Sequence, residues 1–347
     1  MSSPETADDS GSAKSGQFDQ HSAAVLATKT ILSAPGVKAS EALADLLPFL
    51  LTPEPVVEEL PALFLPAGTG TDHVDPGAML EVAVAGKIVY AHVRWLDDLA
   101  DSLDRPLAPP GAIHRLSEAL SREAHARFAT ALRGSGEAAA DFFSSLADLN
   151  ARYAASLAID CAFSRRLQLV RLSLEDYVEH AKSRAAPLRT PLDALHVLIG
   201  VSQEDKQLGR SCFELTASAM QLYDDTLDVE EDYGDGRLSW VVAETLRHLG
   251  DPDEHPGADE FYEAALLAGF IDRNLAAAEE LYAEALSLAE GRFPGCVEFL
   301  RNEARQTRAM KEDMARIVSS ARRTEERRET SVTPPNDGGD RDDKPAL

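Results

Sequence analysis

Between about positions 22 and 323, apolar side chains recur three and four residues apart, and polar side chains fill the intervening positions. That is the period of an α-helix with one buried face. Ala, Leu and Glu dominate these stretches, and clusters of β-branched residues bounded by turns are scarce. Neither the alternation of a strand, nor a hairpin signal, nor a fixed-period repeat is present. The pattern predicts helices at 22–33, 39–51, 55–64, 75–103, 110–133, 136–160, 166–184, 190–200, 204–231, 236–249, 257–290 and 294–323. Pro53, Pro106, Pro109, Pro187, Pro252 and Pro294 supply the breaks. Several of these helices exceed two dozen residues, a length that suits a large bundle. The expected fold is all-α, a single-domain helical bundle over residues 22–323 around a central cavity. Residues 1–21 are polar, and residues 324–347 are charged, with Pro334, Pro335 and a Gly-Gly pair. Both are expected to be disordered tails.

Charge changes the picture more than composition does. The hydrophobic fraction of 44% is ordinary, but 59 acidic residues outnumber 34 basic ones, giving a formal net charge of −25. Such a surface repels nucleic acid and anionic membranes. No stretch approaches the roughly 18 uninterrupted apolar residues of a membrane span, so no stable membrane insertion is expected. The three cysteines, Cys161, Cys212 and Cys296, form no CxxC pair. That argues against a disulfide framework or a zinc site and for a reducing, cytoplasmic location. A phosphate substrate would also be repelled unless carboxylate-bound divalent cations reversed the field locally.

Two aspartate clusters offer that reversal. The first ends the apolar run Ala85–Leu96 with Asp97, Asp98 and Asp101. Asp97 and Asp101 are four apart and share a helix face; Asp98 and Asp101 are three apart. Burying such like charges unpaired costs several kcal/mol each, a conflict that a divalent cation resolves. The second cluster places Asp224, Asp228 and Asp232 at i, i+4 and i+8, with Asp225 and Glu231 on the flank. Either cluster alone is also what a solvated acidic helix end looks like. The pair says more. The clusters belong to different helices, each after an apolar run, and facing one another across a bundle they could hold metal ions around one diphosphate. Such a clamp stabilises the charge that develops on a departing diphosphate. An apolar pocket would keep the resulting allylic cation from water.

These residues resemble the class I isoprenoid synthase superfamily. Asp97-Asp98-Leu-Ala-Asp101 matches its first metal motif, DDxxD, and Arg94 is similar to the leading arginine of the RxxDDxxD form in squalene and phytoene synthases. Gln221-Leu-Tyr-Asp224-Asp225-Thr-Leu-Asp228-Val looks like the second motif of polyprenyl diphosphate synthases. The run on through Glu231-Asp232 to Gly236-Arg237 resembles the second motif of the squalene and phytoene group. The Asp224, Asp228, Asp232 spacing equals that of the terpene cyclase NSE triad. Tyr177 to Lys182-Ser183 resembles the Tyr…Lys-Thr/Ser segment of chain-elongating synthases. The resemblance implies an isoprenoid synthase fold and Mg²⁺, three ions per site, with Mn²⁺ as a substitute. It implies metal ligation by Asp97, Asp98, Asp101, Asp224, Asp225, Asp228 and Asp232, and a catalytic role centred on Asp97, Asp98, Asp101, Asp224 and Asp228. The substrate would be a prenyl diphosphate, and a homodimer is common in this family.

The chain also departs from the elongating pattern. No Gly-Lys-x-x-Arg-Pro segment occurs in the N-terminal third, and Asp104-Arg105-Pro106 stands where Arg-Arg-Gly would follow the first motif. In elongating synthases those segments bind isopentenyl diphosphate. The expectation is therefore a terpene synthase, a lyase that ionises one linear prenyl diphosphate and cyclises it or eliminates a proton. The alternative is a prenyltransferase joining two isoprenoid diphosphates. A further alternative is a non-catalytic helical protein with acidic surface clusters. Arg94, Lys182, Arg184 and Arg237 are candidate diphosphate donors, since guanidinium forks and ammonium groups suit phosphate oxygens. Trp95, Phe213 and Tyr223 are candidates to line the cavity, although aromatics at helical spacing are more often core. Tyr233 is expected to pack, and His92 to be a satisfied core histidine.

Overall fold

The computed structural model describes residues 61–69, 73–101, 110–165, 171–250 and 256–331. They contain α1 (Pro76–Asp101), α2 (Pro110–Ala131), α3 (Gly136–Arg165), α4 (Leu174–Ala185), α5 (Thr190–Ile199), α6 (Gln203–Leu227), α7 (Val229–Asp235), α8 (Trp240–Leu249), α9 (Ala258–Leu267), α10 (Phe270–Ala289) and α11 (Pro294–Ser331). A 3₁₀ turn, Ala186–Arg189, joins α4 to α5. No strand occurs among the described residues. The expected helices at 22–33 and 39–51, and most of that at 55–64, lie outside them, as do residues 1–21 and 332–347.

Local chemistry sets the helix starts. Asp75 accepts hydrogen bonds from the Gly77 and Ala78 N–H groups at 3.3 and 3.2 Å, ahead of a proline whose fixed φ suits a first turn. Ser173 and Asp176 cap α4 reciprocally, and Ser202 caps α6 through the Asp205 N–H. The helix expected at 166–184 therefore starts late, at Leu174, where the capping box stands.

Two long helices divide. The stretch expected as 204–231 breaks at Asp228, which leaves helical geometry at φ −101° and ψ 12°. The backbone hydrogen bonds Asp228 N–H to Asp224 O and Asp232 N–H to Asp228 O persist at 3.0 and 2.7 Å. The acidic stripe thus survives the break nearly in register, while Val229 enters the core. The stretch expected as 257–290 divides at Gly269, whose φ of 74° is a left-handed conformation that glycine adopts without steric cost. At the other end α11 continues through Ser331, beyond the expected boundary at 323.

Three apolar clusters hold the bundle together. One surrounds Ile88, Trp95, Phe128 and Phe142 between α1, α2 and α3, with Ala194 and Leu195 of α5. A second joins α4, α6, α8, α9 and α10 through Tyr177, Leu222, Trp240, Phe261 and Leu275. The third packs α6 on α10 and α11 through Phe213, Tyr282, Phe293 and Leu300. Each such side chain contributes about 1.5–3 kcal/mol by leaving water. α1 also lies close against α5: a Cβ on Gly86 would stand 2.7 Å from Cγ of Pro191. That contact fixes the helix that carries the first cluster.

Candidate active site

α1, α3, α4 and α6 bring carboxylates and a guanidinium to one region. On α1, Asp97 accepts from the Tyr153 hydroxyl of α3 at 2.8 Å; that hydroxyl also lies 3.1 Å from the Val93 carbonyl. Arg184 of α4 stands 3.7 Å from Oδ2 of Asp97 and 3.6 Å from Oδ2 of Asp160 on α3. Oδ1 of Asp160 is 2.8 Å from Nε2 of His180, one helical turn before Arg184. Tyr177, at the start of the same face of α4, donates to Asp225 of α6 at 2.6 Å, and Gln221 donates to the other oxygen of Asp225 at 2.7 Å. Tyr177, His180 and Arg184 recur at three- and four-residue spacing and so present a single stripe to the carboxylates.

Asp97 and the carboxylates of the second cluster respond to the same charged neighbours. Burial pushes the Asp97 carboxyl above its usual range, against the pull of Arg184 and the Tyr153 hydrogen bond. Burial raises Asp224 to about 6, with repulsion from Asp228 and Glu303 adding to it. Burial raises Asp225 to about 7, opposed by its bonds from Tyr177 and Gln221 and by Arg184. Asp232, nearly buried on α7, reaches about 8 through burial and the charge of Asp225. Burial alone would lower Arg184, but the charges of Asp97 and Asp160 outweigh it and hold the guanidinium above its usual value. Arg184 acts on Asp97, Asp225 and Asp232 alike, and the exposed Arg94 acts on both Asp97 and Asp224. Two guanidinium groups thus act on both Asp97 and the second cluster.

Not every expected donor gathers there. Lys182 turns to Glu179 at 2.5 Å, and Arg237 pairs with Glu231 and Asp235, each at 2.8 Å, while still lowering the Asp232 carboxyl. Asp228 is exposed at the α6–α7 junction. Asp98 and Asp101 belong to the last turn of α1, and their side chains fall outside the described positions. Among the described residues no three His, Cys, Asp or Glu side chains converge on a point that would hold a metal ion. The donor set nonetheless fits a hard divalent cation. All its members are carboxylates, and burial first, then neighbouring carboxylates, raises Asp224, Asp225 and Asp232, a cost to their charged forms that a bound cation would offset.

No protein-family profile matches the chain, and no curated protein matches it. Solved structures do. Geranylgeranyl pyrophosphate synthetase from Pyrococcus horikoshii Ot3 superposes with a TM-score of 0.63 at 16% identity, covering 83% of this chain and 96% of that one. Octaprenyl pyrophosphate synthase from Helicobacter pylori gives 0.61 at 13% identity, covering 84% and 99%. An isoprenoid synthase family member from Thermotoga neapolitana DSM 4359 gives 0.52 at 16% identity, covering 81% and 96%. The chain has the isoprenoid synthase fold.

Within this fold a cavity of about 490 Å³ opens between α1, α2 and α3, walled by Val93, Leu96, Phe128 and Leu146, with Tyr153 at its edge. Tyr153 therefore touches both the cavity and Asp97. Trp95, Phe213 and Tyr223 do not line this cavity. Trp95 is fully buried in the first core cluster, Phe213 packs edge-on against Phe64 at 5.6 Å, and Tyr223 lies within the fields of Glu303 and Asp224. Tyr233 packs as expected, stacked on Phe261 at 3.8 Å. His92 does line the cavity, hydrogen-bonded to Ser117 at 2.8 Å.

Sequence reasoning passed over Tyr153 and Asp160, and quoted Gln221 and Tyr177 only as parts of motifs. Asp160 carried a usable signal: it is a lone acid between Ile159 and Phe163 on a helix whose neighbouring positions are small or apolar. Tyr153 carried none, because a half-apolar phenol on a helix reads as ordinary core.

Proposed function

We propose that this isoprenoid synthase fold ionises an allylic prenyl diphosphate between the two aspartate clusters and joins the resulting carbocation to a second isoprenoid diphosphate. The observation that carries this reading is Arg184, a guanidinium within the fields of Asp97, Asp225 and Asp232 at once. Carboxylates alone would repel a diphosphate; carboxylates around a central guanidinium, with cations between, attract one. The sequence favoured a one-substrate cyclase. The likeness to geranylgeranyl and octaprenyl pyrophosphate synthases supports the prenyltransferase instead.

Asp97, Asp98 and Asp101 on one side, and Asp224, Asp225, Asp228 and Asp232 on the other, would hold Mg²⁺. When bound, Mg²⁺ supplies Lewis-acid stabilisation of the departing diphosphate. The chain's own groups do the rest. Arg184 and Arg94 offer donors to diphosphate oxygens as the C–O bond breaks and its electron pair leaves with the diphosphate. Tyr153 fixes the Asp97 carboxylate, and Tyr177 with Gln221 fixes Asp225, so that neither must reorganise during ionisation. The cavity beside Tyr153 takes the hydrocarbon tail and excludes water from the allylic cation. The double bond of the second isoprenoid then attacks that cation, and loss of a proton restores neutrality.

A one-substrate cyclase is the second reading, favoured by Asp104-Arg105-Pro106 in place of Arg-Arg-Gly. Incubation with Mg²⁺ and geranyl, farnesyl or geranylgeranyl diphosphate, each with and without isopentenyl diphosphate, separates the two. A longer prenyl diphosphate formed only with isopentenyl diphosphate is expected. Hydrocarbon or alcohol from one substrate establishes the cyclase, and absence of diphosphate release in every mixture refutes both.

A further inference from the structure

On the far side of α4 from its junction with α5, a second cavity of about 430 Å³ lies between the segment Arg171–Leu174, α8 and α10. It shares no lining residue with the aspartate clusters or with the cavity beside Tyr153. Its walls carry three guanidinium groups, Arg171, Arg247 and Arg273, against one carboxylate, Glu244. On a chain with a formal charge of −25 this is a local reversal of sign. The one acid is not free to neutralise the others, because Glu244 is nearly buried and paired with Arg247. Arg171 and Arg273 have no carboxylate partner among the described residues.

Arg273 is held in place by aromatic packing. Its guanidinium lies 5.3 Å from the ring centre of Trp240 and 4.8 Å from that of Phe270. Cation–π contact restrains the guanidinium plane and leaves its edge donors available. Its Nε makes only a long 3.4 Å hydrogen bond to the Gly269 carbonyl. The N-terminus of α4 is not the source of attraction, because Ser173 and Asp176 already satisfy its first groups. What remains is a concave site with two unneutralised guanidinium forks and a rigid aromatic wall.

We propose that this pocket binds a free, soluble diphosphate anion at a site separate from the aspartate clusters. Guanidinium forks match the paired oxygens of phosphate groups, and a diphosphate spans more than one fork where a halide or a single carboxylate does not. A lipid headgroup offers the same chemistry, but the charge of the whole molecule repels an anionic bilayer and admits a small anion. The inference does not depend on the proposed reaction. α4 carries Ser173, at this pocket, just before its first turn, and Arg184, at the clusters, in its last.

The test is calorimetric titration of the full chain with inorganic pyrophosphate in EDTA, at low ionic strength, where the metal-free clusters repel the anion. Saturable one-to-one binding is expected. The double substitution Arg171→Gln/Arg273→Gln is expected to weaken it about tenfold or more, consistent with loss of charge-assisted hydrogen bonds. Arg94→Gln, at the clusters, should change it less than about twofold by the same reasoning. Circular dichroism and thermal melting check that the variants fold; the single Arg171→Gln, at an exposed residue, serves if the double variant does not. Absence of saturable binding, or binding unchanged by the substitutions, overturns the proposal. So does attachment to phosphatidylglycerol vesicles without binding of free pyrophosphate.

Discussion

Arg184 and Lys182 are two residues apart on α4 and have different surroundings. Helical phase puts Arg184 in line with Tyr177 and His180, while Lys182 turns away toward Glu179. From the sequence both are candidates for holding diphosphate, since phase relative to a partner helix is not visible in one chain segment. Arg184→Gln is expected to lower kcat/KM for diphosphate release by about a hundredfold, roughly 2.7 kcal/mol. Lys182→Gln should stay within about twofold. Steady-state kinetics with thermal melts decide between them; equal losses would contradict the assignment.

His92 supplies one separable part of the pH dependence. Burial lowers its pKa from 6.5 to about 4, so the folded chain keeps the ring neutral where the unfolded chain protonates it. Below the unfolded value the unfolded state binds the extra proton. Its contribution to stability is therefore complete above about pH 6.5 and is lost as pH falls toward 4, by up to about 3 kcal/mol. Urea unfolding of wild type and His92→Gln across that range should show a steeper acid loss in the wild type. Parallel curves would show that the ring is not held neutral.

At the scale of elements, the helical period made most of the bundle readable. α1, α2, α5, α8 and the start of α11 fall within a few residues of expectation because Pro76, Pro110 and Pro294 and the flanking caps act locally. The division at Asp228 was not readable. The i, i+4, i+8 spacing of Asp224, Asp228 and Asp232 fits an unbroken helix, and only the burial of Val229 distinguishes the broken form. The groups behind the clusters were hidden for a related reason: the Tyr153 hydroxyl and the Asp160 carboxylate on α3 meet Asp97 and Arg184 through tertiary packing. The close crossing of α1 and α5 at Gly86 is likewise a tertiary fact. Gly86→Val should destabilise the fold by about 1–3 kcal/mol through overpacking against Pro191. Denaturant unfolding measures it, and an unchanged midpoint would mean the helices separate freely.

For the whole molecule, charge dominates. A chain with a net charge of −25 carries carboxylates raised to about 6, 7 and 8 at one site, two of them, Asp225 and Asp232, buried, a cost that bound cations would relieve. Mg²⁺ should therefore raise the melting temperature, by several degrees at saturating concentration, and Asp228→Asn should reduce that gain. A melt insensitive to Mg²⁺ would argue that the carboxylates are not ligands. No helix among the described residues is long and apolar enough to cross a membrane. Large hydrophobic side chains exposed among them are Leu227, Leu249 and Ile317, on three different helices.

The central claim is that two aspartate clusters on separate helices act as one diphosphate-ionising site. Its most direct measurement is diphosphate release from an allylic prenyl diphosphate in the presence of Mg²⁺ and isopentenyl diphosphate, by wild type, Asp97→Ala and Asp228→Ala. Turnover by wild type is expected, with each substitution abolishing it while the helical circular dichroism and the cooperative melt are retained. Full activity in either folded variant, or no release by the wild type, would contradict it.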